Sequence, residues 1–289
     1  MKIKILIPVY NDWQSVFKLL ENINSEVSNL GHEFSVIIVN DASTESKPEL
    51  TTNLDNLNSI KIINMRENRG HARCNATGLK HIFENEEFDY VIPMDGDGED
   101  RPEEIKQLVD NLNYHPDKPI VGERIKRSEG IFFKLCYFIH KLITYTFTGQ
   151  SIKFGNYSCL PKSIVERMIN EKATWSSFSG ALAKVSKDRA TIPSERGTRY
   201  FGPSKMSFKN LAIHSLAIIS VFKFNVLVRS IFFLIIYIFL IHQKISIIML
   251  IPFPLIILLV VLVFFTSKRE SLEEMKDSFS NILNIDNIK

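Results

Sequence analysis

Short apolar runs alternate with segments of helical periodicity along the first part of the chain. The runs have the length and composition of buried strands, and in the segments between them apolar residues recur every three or four positions. The strand-like runs are residues 4–9, 34–39, 60–65 and 90–94, and the helical segments are residues 16–30, 72–83 and 103–113. This alternation predicts βαβ units, and therefore an α/β domain with a mostly parallel sheet and right-handed crossovers.

Polar residues follow each strand-like run, where the chain is expected to leave the sheet. These residues are Tyr10-Asn11-Asp12, Asn40-Asp41-Ala42-Ser43, Asn68-Arg69-Gly70-His71 and Asp95-Gly96-Asp97. In a parallel α/β sheet, ligands bind outside the carboxyl ends of the strands. The four turns are therefore expected to meet in one cleft. Asp12 is also expected to cap the first helix.

The turn after the fourth run carries two carboxylates, Asp95 and Asp97, separated by one residue. Mg²⁺ takes oxygen ligands and is commonly held by one or two carboxylates while nucleotide phosphates complete its shell. Mn²⁺ favours the same ligands. Gly96 and Gly98 let the backbone turn tightly and approach a ligand closely. The spacing therefore predicts a Mg²⁺ or Mn²⁺ site, and the alternative is a solvated acidic loop between a strand and a helix.

Further motifs accompany this acidic turn in a fixed order. They are Ile7-Pro8-Val9-Tyr10-Asn11-Asp12, Val39-Asn40-Asp41-Ala42-Ser43-Thr44, Asn68-Arg69-Gly70 with Ala72 and Gly78, Gly122-Glu123-Arg124, and Arg199-Tyr200-Phe201-Gly202-Pro203-Ser204-Lys205. Together with Asp95-Gly96-Asp97 they resemble the family 2 glycosyltransferases of the GT-A fold. More narrowly, they are similar to the polyprenol-phosphate branch, which includes dolichol-phosphate mannosyltransferases. The motifs span about the first two-thirds of the chain.

The resemblance implies a role for each matched residue. A nucleotide-diphosphate sugar would be bound by Pro8, Tyr10, Asp12, Asp41, Gly70 and Asp95, with Asp41 reading the nucleobase. The metal ligands would be Asp95, Asp97 and Glu99, which stands where the family often has glutamine. The acceptor would be bound by Arg124, Arg127, Arg199, Ser204 and Lys205, and the catalytic residues would be Asp97, Arg124, Lys205 and Asn156. The extra charge of Glu99 demands a cationic counterweight, which Arg124, Arg127 or Lys205 would supply.

One position departs from the family pattern. Relatives carry an acidic residue in a segment that here reads Phe154-Gly155-Asn156-Tyr157-Ser158, without a carboxylate. Asn156 is therefore a candidate contact, and no general base is identified. A lipid phosphate arrives already ionised and needs cations rather than a base. The missing carboxylate thus favours a polyprenyl phosphate as the membrane lipid acceptor.

The apolar residues of the second half are concentrated near the carboxyl end. Residues 245–265 form a run of 21 residues without a charge, about 31 Å as a helix and enough to cross a bilayer. Residues 226–241 form a shorter run in which Arg229 is expected to reach the interface, and the connector between the two runs predicts a transmembrane hairpin. Pro252 and Pro254 are expected to kink the second helix.

Four regions follow from these patterns: a GT-A domain at residues 1–210, an interfacial amphipathic segment at 211–225, two transmembrane helices at 226–265 and a cytoplasmic tail at 266–289. Helical spacing of Leu272, Met275, Phe279 and Ile282 predicts a short helix in the tail.

Basic residues flank the hairpin, whereas its connector has only Lys244. Both termini and the domain are therefore expected on the cytoplasmic side of the cell membrane. Strand-like sequence directly follows Met1, so no signal peptide is expected.

Little other chemistry is indicated. The three cysteines have no metal-binding or redox spacing and are expected to be reduced. His71 is expected to be structural or solvated, and a net charge of +3 is too small to indicate nucleic acid.

Two alternatives for the function stay open: transfer to a hydroxyl of a lipid-linked glycan in cell-surface polysaccharide synthesis, and a non-catalytic membrane scaffold that binds nucleotide sugars. The apolar helices are also compatible with a homo-oligomer.

Overall fold

A computed structural model describes residues 1–50, 52–126, 131–203, 207–243 and 246–289, with the side chains of residues 126 and 131–134 left undescribed. The chain divides into two compact units. The sheet unit comprises Met1–Ser128, Lys153–Lys205 and Ser271–Lys289. The helical unit comprises Glu129–Ile152 and Met206–Glu270.

The described residues of the sheet unit form one mixed sheet of eight strands. The strands are β1 Lys2–Val9, β2 Glu33–Asn40, β3 Leu57–Met65, β4 Tyr90–Pro93, β5 Ile120–Lys126, β6 Phe154–Pro161, β7 Ala190–Glu195 and β8 Ile282–Asn287. Their order across the sheet is β7-β5-β6-β4-β1-β2-β3-β8. The four strands predicted from the sequence, β1 to β4, pair in parallel, and β5 pairs in parallel with β7, whereas β6 and β8 run antiparallel to their neighbours.

Helices cover both faces of this sheet. They are α1 Trp13–Val27, α2 His71–Asn85, α3 Ile105–Asn111, α5 Lys162–Ile169, α6 Phe178–Val185 and α10 Leu272–Lys276. The predicted helices thus form, although the third opens with a 3₁₀ turn at Pro102–Glu104. Alternate side chains of a strand point to opposite faces: Ile5 of β1 shares a core with Leu20 of α1, whereas Leu6 contacts α2.

The packing of α2 against the sheet depends on Gly78. A Cβ atom there would lie 2.3 Å from Leu6 Cδ1 and 3.1 Å from Val39 Cγ2. Leu6 and Val39 are fully buried, so neither side chain has space to move away. The glycine therefore lets α2 lie close to β1 and β2, which fixes the position of the first turn of α2 at the sheet edge.

The carboxyl-terminal segment belongs to the sheet unit. The predicted helix is confirmed at Leu272–Lys276, but Ile282, expected in the same helix, begins strand β8. β8 pairs antiparallel with β3, from Asn287 opposite Lys61 to Ile282 opposite Met65. Residues 271–289 are therefore not a separate tail, because they supply the edge strand of the sheet.

The helical unit consists of α4 Ile131–Thr148, α7 Phe208–Ser220, α8 Lys223–Ile241 and α9 Pro252–Ser267. Two helical spans in the described residues, Lys223–Ile241 and Ile247–Lys276, are long and apolar enough to cross a membrane. Only 11% and 6% of the most apolar 18-residue window of each span is buried, so neither helix lies in a core of the described structure. Pro252 stands at the first position of α9, directly after the 3₁₀ turn Ile247–Leu250 and Ile251, and the expected kink stays a prediction.

The helix α4 has no counterpart in the sequence prediction. It packs against α8 through Phe147 and Phe233, whose rings lie 5.6 Å apart, and through Arg229, which donates to the carbonyl of Thr146. Leu135, Phe138, Ile139, Leu142 and Tyr145 recur at helical spacing and are all exposed. The helical unit therefore presents an apolar surface on α4 as well as on its two long apolar helices.

Candidate functional site

The site lies where β1, β2 and β4 end and where α2 begins. The turns predicted from the sequence meet there because the strands are parallel and adjacent. Asn11 joins two of these turns: its side-chain oxygen accepts from the backbone N–H groups of Thr44 and Glu45, and its own N–H donates to Ser43 Oγ. Tyr10 is 44% exposed at this edge, whereas the side chain of Pro8 is buried in β1.

Asp41 connects the end of β2 to the start of α2. Its carboxylate is 4% exposed and accepts from the backbone N–H groups of Arg69 and Gly70, both at 2.8 Å. Gly70 has φ 92°, a left-handed conformation that favours glycine. Each carboxylate oxygen can accept a second hydrogen bond. Asp41 can therefore hold this turn and also accept from a ligand.

Asp95 lies in a cluster with Asn156 and His71. Asn156 Nδ2 donates to Asp95 Oδ1 at 3.0 Å, and His71 Nε2 lies 3.4 Å from the same oxygen and 2.6 Å from Asn156 Nδ2. Burial opposes the ionisation of Asp95, but His71 and Arg124 outweigh it and lower the pKa of this carboxyl. His71, expected to be structural or solvated, is therefore part of the site.

Arginine side chains pair with the next two acidic residues of the turn. Arg199 donates to Asp97 Oδ2 at 2.8 Å and also to Asp12, and Arg196 donates to Glu99. Asp12 precedes α1 but its side chain does not cap a backbone N–H of the helix, since its oxygens accept from Ser15 Oγ and from Arg199. Arg199, expected at the acceptor, thus neutralises Asp97, and the counterweight expected from Arg124, Arg127 or Lys205 for Glu99 comes from Arg196.

The segment that carries these arginines lies on the acidic turn. Tyr200 N donates to the carbonyl of Asp97 at 3.0 Å, and Gly197 N donates to the carbonyl of Glu99 at 2.8 Å. The Tyr200 ring occupies the space where a Cβ atom on Gly98 would stand, 2.5 Å from the ring, and its hydroxyl accepts from Asn22. The close approach of the two segments therefore requires glycine at position 98.

Asp100 is the most buried carboxylate of the turn, at 3% exposure. It accepts from the backbone N–H of Asp95 at 2.9 Å, and its other oxygen lies 3.4 Å from Arg124 Nη2. Burial, together with the charge of Asp95, raises the pKa of Asp100 to about 7. The same two causes raise the pKa of Asp97 to about 6. The turn therefore concentrates more negative charge than its surroundings stabilise.

This excess of acid fits a divalent cation. Asp95 and Asp97 present hard oxygen ligands, and a cation between them would remove the repulsion that raises the pKa of Asp97. In the part of the chain that the structure describes, no group of three or more His, Cys, Asp or Glu side chains is arranged to hold a metal alone. The two carboxylates are thus suited to a Mg²⁺ or Mn²⁺ ion whose shell is completed by a bound ligand. The sequence also predicts Glu99 as a metal ligand, but its carboxylate is paired with Arg196.

Three of the predicted acceptor contacts, Arg127, Ser204 and Lys205, lie outside the described residues. Arg124 lies beside Asp100, and its guanidinium is 3.5 Å from the position of a Cβ atom on Gly155.

The sequence prediction missed Asp100, Arg196 and Asn22. A usable signal for Arg196 was present, because it stands three residues before Arg199 in the same basic segment.

Comparison with known proteins gives a family and several relatives. Residues 4–165 match the family described as Glycosyl transferase family 2. The undecaprenyl-phosphate 4-deoxy-4-formamido-L-arabinose transferase of Salmonella paratyphi B is 30% identical over 220 residues, which cover 73% of this chain and 64% of that protein. The transferase of the same name from Salmonella newport gives the same figures. The matched part of the chain thus spans less than two-thirds of the length of these curated relatives.

Solved structures with the same fold are more distant in sequence. TarS 1–349 of S. aureus, in complex with UDP-GlcNAc, has a TM-score of 0.54 at 14% identity and covers 97% of this chain and 92% of that one. Glucosyl-3-phosphoglycerate synthase of Mycobacterium tuberculosis, in complex with Mn²⁺, UDP and phosphoglyceric acid, has a TM-score of 0.58 at 12% identity and covers 78% of each chain. The expected GT-A fold is confirmed by this likeness.

The pKa of Asp100 predicts a pH-dependent stability in the absence of metal. Between about pH 4 and pH 7 the folded state holds a proton on Asp100 that the unfolded state releases, so the free energy of unfolding falls as the pH rises through this window. Asp100→Asn removes this ionisation. We therefore measure, in EDTA, the melting temperature of Asp100→Asn minus that of the unmodified chain. This difference should increase from pH 5 to pH 8.

Asp110→Asn, at an exposed position of α3, provides the control, and its difference from the unmodified chain should stay constant over the same range. A difference for Asp100→Asn that is constant or decreases with pH would contradict the raised pKa of the buried Asp100 carboxyl group.

Proposed function

We propose that this chain, which belongs to glycosyl transferase family 2, transfers a sugar from a nucleoside diphosphate to a polyprenyl phosphate in a membrane. One observation carries the proposal: the acidic turn Asp95–Asp100 and the Asp41 turn lie at one edge of the sheet, in a chain that also has two apolar membrane-length helices. The relatives named as undecaprenyl-phosphate transferases support the choice of acceptor.

The donor would be bound at the ends of β1 and β2. Asp41 would accept from the nucleobase with the lone pairs that the backbone N–H groups of Arg69 and Gly70 leave unused. Tyr10, exposed beside it, offers a ring against which the base can pack. The diphosphate would then extend toward Asp95 and Asp97. The solved structures of the same fold with UDP-GlcNAc and with UDP support this class of donor.

Asp95 and Asp97 would hold a Mg²⁺ or Mn²⁺ ion, as the Mn²⁺ in a structure of the same fold supports. When bound, the ion neutralises charge on the departing diphosphate. The chain's own residues prepare this arrangement: Asn156 and His71 orient Asp95, and the backbone N–H of Glu99 orients Asp97. Arg199 also donates to Asp97 Oδ2, so the ion would share this carboxylate with one guanidinium.

The acceptor oxygen must attack the anomeric carbon of the sugar. A phosphate monoester has a second pKa near 6 and is largely ionised at neutral pH, so no base has to remove a proton. Arg124, half-buried beside the acidic turn, would hold the phosphate through charge-assisted hydrogen bonds. Arg127, Ser204 and Lys205 are proposed partners in this contact. The absence of a carboxylate at Asn156 is consistent with an acceptor that needs no base.

A second candidate is transfer to a hydroxyl group of a lipid-linked glycan. The observation that favours it is His71, whose Nε2 atom lies 3.4 Å from Asp95 Oδ1. Histidine is the commonest general base, and a hydroxyl nucleophile needs such a base within hydrogen-bond reach. The two candidates differ in whether His71 accepts a proton from the acceptor, and therefore in the chemical linkage of the product.

The sheet unit constrains the membrane topology. Its residues come from both sides of the apolar hairpin in the sequence, since β8 pairs with β3. A folded sheet lies on one side of a membrane, so the chain between these segments must cross an even number of times. α8 and α9 provide two crossings, and the basic residues Lys209, Lys223, Lys268 and Arg269 would keep the sheet unit in the cytoplasm.

The metal prediction concerns Asp97. Asp97→Asn removes one charge from the metal ligands. Because a metal ion stabilises the charge of the transition state by several kcal/mol, we expect the transfer rate to fall about a hundredfold or more. The measurement is transfer of a radiolabelled sugar from a nucleoside diphosphate to polyprenyl phosphate, with Mn²⁺ or Mg²⁺ and with EDTA. Asp110→Asn is the control and should keep full activity. Full activity of Asp97→Asn in EDTA would refute the metal assignment.

The acceptor prediction concerns Arg124. Loss of a charge-assisted contact in Arg124→Ala should raise the KM for polyprenyl phosphate about tenfold or more, while the KM for the donor rises by a smaller factor. Arg167→Ala, at an exposed position of α5, serves as the matched control. Equal effects on both KM values, or an effect on the donor alone, would exclude Arg124 as an acceptor contact.

The topology prediction introduces one cysteine at a time into a chain with Cys136 replaced by serine, in which the two remaining native cysteines, Cys74 and Cys159, are buried. A cysteine at Gln243, beside the hairpin connector, should react with a membrane-impermeant maleimide in intact cells. A cysteine at Asn284, on β8, should react only after the membrane is permeabilised. The reverse pattern, or equal labelling of both cysteines in intact cells, is incompatible with a cytoplasmic sheet unit.

A further inference from the structure

We propose that the carboxyl-terminal segment, residues 271–289, positions the donor-binding turns, and that Asn281 and Asp286 are the positioning residues. The inference rests on the proposed function, because it assigns these residues to the nucleotide site of a glycosyltransferase. It adds that the site is complete only after the chain has passed through the apolar hairpin and returned to the sheet.

The first connection runs from Asp286 to the Asp41 turn. Asn64 Nδ2, on β3, donates to Asp286 Oδ2 at 2.9 Å, and Asn64 Oδ1 accepts from Asn40 Nδ2 at 2.9 Å. Asn40 Oδ1 in turn accepts from the backbone N–H of Ser43 at 3.0 Å. Each amide in this series uses both ends of its side chain. Asp286 therefore fixes the orientation of Asn64, and through it the turn that contains Asp41.

Lys47 provides a second tie between the same two regions. Its Nζ atom lies 3.8 Å from Asp286 Oδ2. Lys47 follows Asp41 in the sequence, whereas Asn40 precedes it. The Asp286 carboxylate is therefore connected to the chain on both sides of Asp41. Asp286 is partly exposed, with 41% of its side chain accessible, and does not support the hydrophobic core. Its Oδ2 atom carries both contacts toward the turn, while Oδ1 accepts from Asn284 Nδ2 of the same strand at 3.1 Å.

The second connection runs from Asn281 to the loop before α2. Arg66 N donates to the carbonyl of Asn281 at 2.7 Å, and Glu67 N donates to its side-chain oxygen at 3.2 Å. The amide nitrogen of Asn281 donates to the carbonyl of Glu67 at 3.1 Å. Asn281 is 4% exposed, so its hydrogen bonds to this loop are shielded from water. Residues 66 and 67 lead directly to Gly70, whose backbone N–H donates to Asp41.

The helix α10 holds the segment against α2. Trp175 Nε1 donates to Glu274 Oε2 at 2.7 Å, and Met275 is fully buried in a cluster with Ala76 and Trp175. Ala76 belongs to α2, whose first residue is His71. The segment therefore contacts the nucleotide site from three directions: the Asp41 turn, the loop at residues 66–67 and the helix that begins at the site. None of these contacts requires Asn281 or Asp286 to touch the nucleotide.

The experiment measures nucleotide affinity of the full chain in detergent micelles. Isothermal titration with UDP, GDP, CDP and dTDP, each with MnCl₂, first identifies the diphosphate that the unmodified chain binds. Asp286→Ala and Asn281→Ala should then weaken its Kd about five- to tenfold, as expected for lost hydrogen bonds that hold the turns. The donor KM should rise by a similar factor, with kcat and the acceptor KM nearly unchanged.

Two variants separate positioning from a structural role. Asp286→Asn keeps an oxygen that can accept from Asn64, so its Kd should return to within about twofold of the unmodified chain. Asn287→Ala, at an exposed position on the same strand, should leave the Kd unchanged. Because Asn281 is buried, Asp286→Ala is the decisive substitution, and its melting temperature should lie close to that of the unmodified chain.

The outcomes distinguish this inference from the proposed function. If the unmodified chain binds a nucleoside diphosphate and Asp286→Ala binds it equally well, the positioning role of the carboxyl-terminal segment is refuted. The same conclusion follows if Asp286→Asn is as impaired as Asp286→Ala. If the unmodified chain binds none of the four diphosphates, the proposed function fails and the inference fails with it.

Discussion

The repulsion among the carboxylates of one short turn is the constraint on which the rest of this structure depends. Asp95, Asp97, Glu99 and Asp100 stand within six residues at the end of β4, and burial raises the pKa of Asp97 and of Asp100. Isolated charges of this kind are costly away from water, so each needs a cationic or hydrogen-bonding partner. Arg124 and the arginines of the basic segment at residues 196–199 supply part of this compensation. A divalent ion and its diphosphate ligand would supply the remainder, which connects the electrostatics of the turn to the proposed chemistry.

The fold places this turn where a ligand can reach it. Parallel strands bring the polar turns after β1, β2 and β4 to one edge, and the close packing at Gly78 sets α2 beside them. The carboxyl-terminal segment, residues 271–289, contacts the loop before α2 through Asn281, and it contacts the Asp41 turn through Asp286, Asn64 and Asn40. The sheet thereby joins residues from before and after the apolar hairpin. The proposed even number of membrane crossings therefore follows from the same pairing of β8 with β3 that brings these contacts to the sheet.

Much of the domain was predictable from residue patterns, because β1 to β4 and their helices carry strong local periodicity. The acidic turn and its neighbours were also predictable, since motif spacing and parallel topology together place them at one edge. Pairings between distant segments were not predictable. β8 has weak alternation and follows a helical stretch, and the contacts of Arg196, Arg199 and His71 depend on side chains far apart in sequence. Pro252 shows a local limit: its effect depends on whether it stands within a helix or at its first position, which the sequence pattern leaves open.

The central claim, transfer of a sugar to a lipid phosphate, is tested most directly by the linkage of the product. Purified chain in detergent, with Mn²⁺, polyprenyl phosphate and a panel of ¹³C-labelled nucleotide sugars, should yield a lipid product that ³¹P NMR identifies as a phosphodiester, with coupling between the phosphorus and the labelled anomeric carbon. Release of the sugar by mild acid would accompany this signal. Absence of this phosphodiester, together with transfer to a hydroxyl oxygen when a lipid-linked glycan is supplied as the acceptor instead, would contradict the account and favour His71 as a general base.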